Sequence, residues 1–307
     1  MVIGGGTGVF TELSGLKHYF TDLSAIVAMT DDGGSTGILR EEFGILPPGD
    51  IRRALVALAG NSDKTLAELF NYRFSEGSGL SGHSFGNLML TALERITGSF
   101  EAAVAEAGRI LQINGQVIPV TLQPARLFAK LQSGQVIQGE TNIDIPKHDP
   151  TDRITDLWIE PVVPANPKAV TAIKSADLVI LGPGDLFTSV VPNLLVGGVA
   201  ESLRQTKAAV IYVSNLMTKR GETDRFKASD LLSTMNEYLG RGTIDAVLLN
   251  SRQPSSNRLK PYLKEESELV IDDLPNEPWV IRADLIRSQG FVRHDPSKLG
   301  LAIRELV

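Results

Sequence analysis

The chain of 307 residues contains no cysteine. That excludes a disulfide framework, thiolate chemistry and cysteine-ligated zinc or iron–sulfur clusters, and it fits an intracellular compartment. Positive charge is not in excess either: 30 Lys and Arg stand against 36 Asp and Glu, a net charge of −6, with a pI near 5.4. Nucleic acids and anionic membranes favour a basic face, so the expected partner is a small molecule, with no nucleic acid and no membrane. No stretch approaches the roughly 20 apolar residues that span a bilayer, and no basic and apolar leader precedes the first motif, so a cytoplasmic location is expected. A Walker A loop is missing, because no glycine precedes a Lys-Ser or Lys-Thr pair at that spacing. The histidines His18, His83, His148 and His294 lack zinc spacing. Hydrolytic nucleophile chemistry is not expected.

What is present suits a globular protein. Hydrophobic residues make up 42% and charged residues 21% of the chain, and the mean hydropathy is +0.02, so one large core or two modest ones can be buried. Residues 4–8 read Gly4-Gly5-Gly6-Thr7-Gly8, and a second glycine-rich loop, Asp31-Asp32-Gly33-Gly34-Ser35-Thr36-Gly37, follows the apolar run 25–29. Glycines let a backbone bend sharply and bring its N–H groups to an anion, while the following helix points its positive end there. The first loop departs from the dinucleotide fingerprint, since Val9 stands where the last glycine of Gly-x-Gly-x-x-Gly belongs. Only three residues precede Gly4, short for a buried central strand, which suggests a misplaced start or a trimmed chain.

Short β-branched runs at 25–29, 178–181, 209–213 and 246–249 alternate with helical periodicity. This predicts an α/β fold, a Rossmann-like parallel sheet with helices on both faces. Apolar spacing at 51–58, 66–74 and 88–96 predicts a helical insert over about 50–113. Residues 117–121, 125–131 and 136–139, with the turn Ser133-Gly134, predict antiparallel hairpins over about 117–160. The whole chain, 1–307, is then one domain, and the proline-rich stretch 161–167 is the bridge back into the sheet.

Two further polar loops follow strand-like runs: Gly182-Pro183-Gly184-Asp185-Leu186-Phe187-Thr188-Ser189 and Asn215-Leu216-Met217-Thr218. Each alone is compatible with turn and cap chemistry, but four such loops at strand ends favour one shared site. The carboxylates Asp31, Asp32 and Asp50 offer oxygen ligands of the kind Mg²⁺ uses beside phosphates, and Asp50 is equally placed to be the N-cap of a helix from Ile51. Arg52 is a phosphate partner or the partner of an acid. His83, in His83-Ser84-Phe85-Gly86-Asn87, is a donor to a ligand oxygen or a cap.

These motifs in this order, together with Pro48-Gly49-Asp50-Ile51-Arg52 and Gly82-His83-Ser84-Phe85-Gly86-Asn87-Leu88, resemble the gluconeogenesis factor family, the YvcK-like proteins related to the CofD 2-phospho-L-lactate transferases. The resemblance covers nearly the whole chain. It implies a Rossmann-like fold, a cytoplasmic location, a role in cell shape during growth on gluconeogenic carbon sources, and a ligand of the UDP-N-acetylglucosamine type. The transferase branch uses paired aspartates for Mg²⁺, which here fall on Asp31 or Asp32 and Asp50, while the loop Asp32-Gly33-Gly34-Ser35 favours the gluconeogenesis factor side. Against the family's pattern, Asp185 and Phe187 stand where Ser and Tyr are usual, and Lys219-Arg220 replaces Gln-Pro. An aspartate beside a diphosphate repels it unless a cation intervenes.

The resulting ligand-binding set is Gly5, Gly6, Thr7, Gly8, Asp32, Gly33, Gly34, Ser35, Arg52, His83, Asn87, Gly182, Gly184, Asp185, Thr188, Ser189, Asn215, Met217, Thr218, Tyr262 and Arg293. Tyr262 would stack on a base or close the pocket, and the forked guanidinium of Arg293 matches a diphosphate. Two functions are carried: a nucleotide-sugar-binding regulator without turnover, and a Mg²⁺-dependent transferase of a phosphorylated group from a nucleotide donor. The missing base and nucleophile favour the first, while transfer between phosphates needs little beyond positioning and a metal. Another nucleoside diphosphate is the alternative ligand, and a homodimer is one option for assembly. An NAD(P)-dependent dehydrogenase is disfavoured by the defective fingerprint.

Overall fold

The computed structural model describes residues 1–60 and 64–307. The chain opens with β1 (Val2–Gly4), α1 (Gly6–Leu16) and β2 (Ser24–Val27). A helical crossover follows, through α2 (Gly34–Phe43), α3 (Pro48–Leu58), α4 (Lys64–Asn71), α5 (Phe85–Thr97) and α6 (Phe100–Ile110), to β3 (Gln116–Pro119). A separate unit holds β4 (Arg126–Leu131), β5 (Val136–Gln138), the short helix α7 (Glu140–Asp144) and β6 (Ile154–Glu160). The chain returns through α8 (Pro167–Ser175) to β7 (Leu178–Leu181), a π-helical turn at Leu186–Val190, α9 (Val191–Leu194) and α10 (Val199–Gln205). It ends with β8 (Ala209–Val213), α11 (Ala228–Leu239), β9 (Ala246–Asn250), α12 (Ser256–Lys264), β10 (Val280–Ala283) and α13 (Pro296–Arg304).

The larger sheet has seven strands in the order β10-β9-β8-β7-β1-β2-β3, all paired in parallel. Parallel strands covered by helices on both faces read as unbroken apolar runs, and Val2, Ile3, Ala25, Ile26 and Val27 are fully buried. The smaller sheet is antiparallel, in the order β5-β4-β6. Its inward residues Leu127, Ala129 and Leu131 join the same apolar core as Val2 and Ile3. The predicted fold class therefore stands.

Helix starts follow local chemistry. Ser84 Oγ accepts from Asn87 N–H at 3.3 Å at the head of α5, and Asp295 accepts from Ser297 and Lys298 N–H ahead of Pro296 in α13. Three details differ from the sequence reading. Residues 117–119 pair in parallel with β2 instead of forming a hairpin, because Val117 and Ile118 are both buried, as in a strand covered on two faces. Helix α3 starts at Pro48, with Pro47 as its cap, so Asp50 lies in the first turn and is not the N-cap. Strand β6 falls within the predicted hairpin region 117–160, whereas β10 lies outside every predicted run.

Candidate ligand-binding site

From β1 the chain builds outward through β2 and β3, and from β7 it builds the other way through β8, β9 and β10. The order reverses between β1 and β7. In open α/β sheets the crevice outside the carboxyl ends of the strands at such a reversal is where ligands bind. The loops there are in very close contact: a Cβ on Gly8 would fall 1.8 Å from the Pro183 carbonyl oxygen. Between them a cleft of about 730 Å³ opens. It is lined by Gly6, Thr7 and Gly8 after β1, by Gly184, Asp185 and Ser189 after β7, by Asn215, Met217 and Thr218 after β8, and by Tyr262 and Arg293.

Gly6 has a φ of +63°, open to glycine and costly to other residues, and its N–H donates to Asp50 Oδ2 at 2.8 Å. The first turn of α1 carries no acidic residue of its own, and the Asp50 carboxylate takes the first of its N–H groups, leaving Thr7 and Gly8 N–H at its positive end beside the cleft. The Asn215 amide donates to the Gly184 carbonyl at 2.7 Å, fixing two loops together. Thr218 exchanges bonds with Glu268, its N–H donating at 2.7 Å and its Oγ1 accepting at 2.8 Å. Tyr262 donates to the Val292 carbonyl at 3.1 Å and meets the Phe291 ring edge-on at 6.3 Å. The exposed Arg293 guanidinium lies 5.8 Å from the Phe291 ring centre and has no ion-pair partner among the described residues. His294 also lines the cleft; burial pushes its imidazole down to about 4, and Nε2 has no hydrogen-bond partner among the described residues.

The remaining predicted residues are elsewhere. Ser35 Oγ is 2.9 Å from His83 Nδ1 and accepts from the Asn87 amide at 3.3 Å, and Arg52 Nε donates to Asn87 Oδ1 at 3.1 Å. All four are buried, so they tie α2, α3 and α5 together instead of rimming the cleft. The loop that carries Gly33 and Gly34 begins this network. Gly182, at φ +79°, lies behind the cleft, as does Gly5, whose Cβ position is 2.7 Å from Asp50 Oδ2. Thr188 is buried, with its hydroxyl donating to Glu222 at 3.3 Å.

Two stretches of the sequence, Gly33-Gly34-Ser35-Thr36-Gly37 and Gly82-His83-Ser84-Phe85-Gly86, match Gly-x-Ser-x-Gly. Neither is a nucleophile elbow. An elbow exposes its serine on a sharp strand-to-helix turn, whereas Ser35 and Ser84 are buried and Ser84 caps α5.

The predicted metal ligands are each engaged. Asp31 Oδ1 accepts from Gly33 N–H at 2.9 Å; burial, then Asp50, push its carboxyl up to about 6. Asp32 Oδ1 accepts from Thr141 N–H at 2.9 Å, fastening α7 to the main sheet. Asp50 bridges Gly6 to Arg53, the latter at 2.8 Å. Sequence reasoning missed Glu140, whose carboxyl is pushed up to about 9 by burial, then by Asp31, Asp144, Asp50 and Asp32. It also missed that Asp144, Asp185 and Glu222 bring one oxygen each within 4.8 Å of one another. Lys219 sits among them, bonded to Asp144, 2.9 Å from Asp185 Oδ2 and 3.7 Å from Glu222 Oε1. Burial, then Asp185, push Glu222 up to about 8. For Lys219, burial works against the charge, yet the three carboxylates outweigh it and hold its pKa above the ordinary lysine value.

The model of the family described as 2-phospho-L-lactate transferase CofD matches residues 1–286. The chain belongs to the CofD family. Relatives run its full length: the gluconeogenesis factor of Bacillus subtilis is 38% identical over 312 residues, covering 100% of this chain and 97% of that one. A Thermotoga maritima relative is 42% identical over 100% of this chain and 98% of its own. A relative from Nostoc sp. is 46% identical over 97% of this chain, which spans 66% of that longer protein. A solved structure of a UPF0052 family protein from Bacillus halodurans superposes with a TM-score of 0.92 at 38% identity, covering 98% of both chains.

Proposed function

We propose that this member of the CofD family is a cytoplasmic gluconeogenesis factor. On this reading it binds a nucleotide sugar of the UDP-N-acetylglucosamine type in the β1/β7 cleft and regulates cell shape and growth on gluconeogenic carbon sources. The observation that supports the reading is that the α1 N-terminus, Gly6 to Gly8, and Arg293, whose guanidinium has no ion-pair partner among the described residues, line the same cleft. Backbone N–H groups at a helix start and a forked cation are complementary to a diphosphate. Tyr262 supplies an aromatic ring beside Arg293 for the base or sugar. The family's curated gluconeogenesis factors support the biological role. His294, the one histidine lining the cleft among the described residues, is held neutral and buried, which favours binding over acid–base turnover.

A second reading, CofD-like transfer of a phosphorylated group, draws on the crowding of Asp31 and Glu140 with Asp50, which itself accepts from Gly6 N–H. The Asp31 and Glu140 carboxyls, pushed up by burial and then by neighbouring acids, fit a missing positive charge, and Asp31 and Asp50 are the residues that would hold Mg²⁺. The metal would neutralise phosphate charge there. Calorimetry with UDP-N-acetylglucosamine, UDP, GDP and NAD(P), with and without Mg²⁺ and followed by product analysis, tests both. Binding of the uridine compound without consumption is expected; consumption of the nucleotide would favour the transferase. No heat from any uridine or guanosine diphosphate at millimolar concentration would refute both.

A further inference from the structure

We propose that Lys219 is the resident counter-ion of a three-carboxylate cage in the cleft wall, and that its ammonium keeps a divalent cation out of a place otherwise shaped to hold one. The cage draws Asp144 from the end of α7, Asp185 from the loop after β7 and Glu222 from the loop after β8, with one oxygen of each within 4.8 Å of the others. Oxygens that share one Mg²⁺ or Ca²⁺ lie about 2.0–2.6 Å from the ion, so no two of them are more than about 4–5 Å apart. The three carboxylates fall within that limit.

The centre is taken by Lys219 Nζ, bonded to Asp144, at 2.9 Å from Asp185 and 3.7 Å from Glu222. An ammonium has three protons to aim and no acceptor, so three surrounding carboxylates match it. Glu222 cannot swing away to water: its side chain is fully buried, and its oxygens also accept from Phe187 N–H at 3.2 Å and Thr188 Oγ1 at 3.3 Å. Three acidic groups this close are stabilised by a positive charge between them, and among the described residues Lys219 provides it. An ammonium and a divalent ion cannot share so small a space, so occupancy is exclusive. Lys219 also joins the small sheet, through Asp144, to the two loops that form the cleft wall, so the cation that closes the cage holds that wall in place.

The test uses the full chain and Mn²⁺ followed by electron paramagnetic resonance, with no nucleotide present. Wild type is expected to bind no Mn²⁺ that Asp185→Asn removes. Lys219→Met is expected to bind one Mn²⁺ at least tenfold more tightly than wild type, with the gain lost in Lys219→Met/Asp185→Asn, and Lys219→Arg is expected to behave as wild type. Should Lys219→Met fail to fold, Lys219→Gln, which keeps donors for Asp144 and Asp185, replaces it in the same comparison. Equal Mn²⁺ binding by wild type and the folded Lys219 variant, or a wild-type Mn²⁺ site that depends on Asp185, would overturn the inference. A UDP titration alongside keeps the two ideas apart: no UDP binding by folded wild type would sink the nucleotide reading and leave the Mn²⁺ comparison standing.

Discussion

Three glycines separate backbone strain, steric clash and ligand contact. An ideal Cβ on Gly8 would lie 1.8 Å from the Pro183 oxygen, 2.5 Å from its carbonyl carbon and 3.0 Å from Gly184 Cα, all backbone atoms of the facing loop. That loop must retreat by more than about 1 Å, and overpacking of this kind typically costs about 1–3 kcal/mol. At about 2–4 °C per kcal/mol for a chain of this size class, Gly8→Ala should lower the melting temperature by about 2–12 °C and open the cleft. Gly44, at φ +67° with nothing within 4 Å of its Cβ position, ends α2 and is not among the cleft-lining residues, so Gly44→Ala measures strain alone, about 1–2 kcal/mol. Gly6 has nearly the same φ, +63°, and its Cβ would meet only Ser189 Oγ, at 3.3 Å. Gly6→Ala should thus melt close to Gly44→Ala, yet bind UDP-N-acetylglucosamine at least about tenfold more weakly, roughly 1.4 kcal/mol, when both are titrated by calorimetry. Unchanged affinity in folded Gly6→Ala would assign that glycine to architecture and refute the close approach of a phosphate.

Three further outcomes follow from the site. Arg293→Ala should weaken nucleotide-sugar binding at least about tenfold while stability changes by less than about 0.5 kcal/mol, because the side chain is exposed and only overlies Phe291; a stability loss without an affinity loss would contradict this. Glu140 holds its proton up to about 9 when folded and releases it near 4.5 when unfolded. Wild-type stability should therefore fall as pH rises across that window, and Glu140→Gln should flatten the fall in melting curves taken from pH 5 to 9; parallel curves would count against it. His294 has the opposite sign: the unfolded chain takes up a proton near 6.5 and the folded chain only near 4. Stability should drop as pH falls through that interval, and His294→Gln should remove part of the drop in the same assay.

Much of the sheet was legible because parallel buried strands leave continuous apolar runs; residues 178–181 and 209–213 coincide with β7 and β8. Edge strands were harder: β3 was read as a hairpin strand because edge position and pairing direction leave no mark in four residues, and β10 was not read at all. Glycine loops at strand ends pointed to Gly6, Gly8 and Gly184, which line the cleft, since close backbone approach restricts residue type. The same logic over-reached at Ser35, Arg52, His83 and Asn87, whose polar side chains satisfy one another between helices, because periodicity does not reveal which polar groups face inward. The ion cage was hidden for a different reason. Asp144, Asp185, Lys219 and Glu222 are separated by up to 78 positions in the chain, and only the docking of α7 against the loops after β7 and β8 makes them neighbours.

The central claim is that the ligand lies at the reversal between β1 and β7, and amide hydrogen exchange with and without saturating UDP-N-acetylglucosamine tests it most directly. The account predicts that slowed exchange concentrates in residues 5–11 and 183–190, with a weaker effect near Arg293. Protection confined to residues 33–37 and 83–87, or to the separate cavity at the opposite end of the strands lined by Phe20, Ser24 and Leu178, would contradict it.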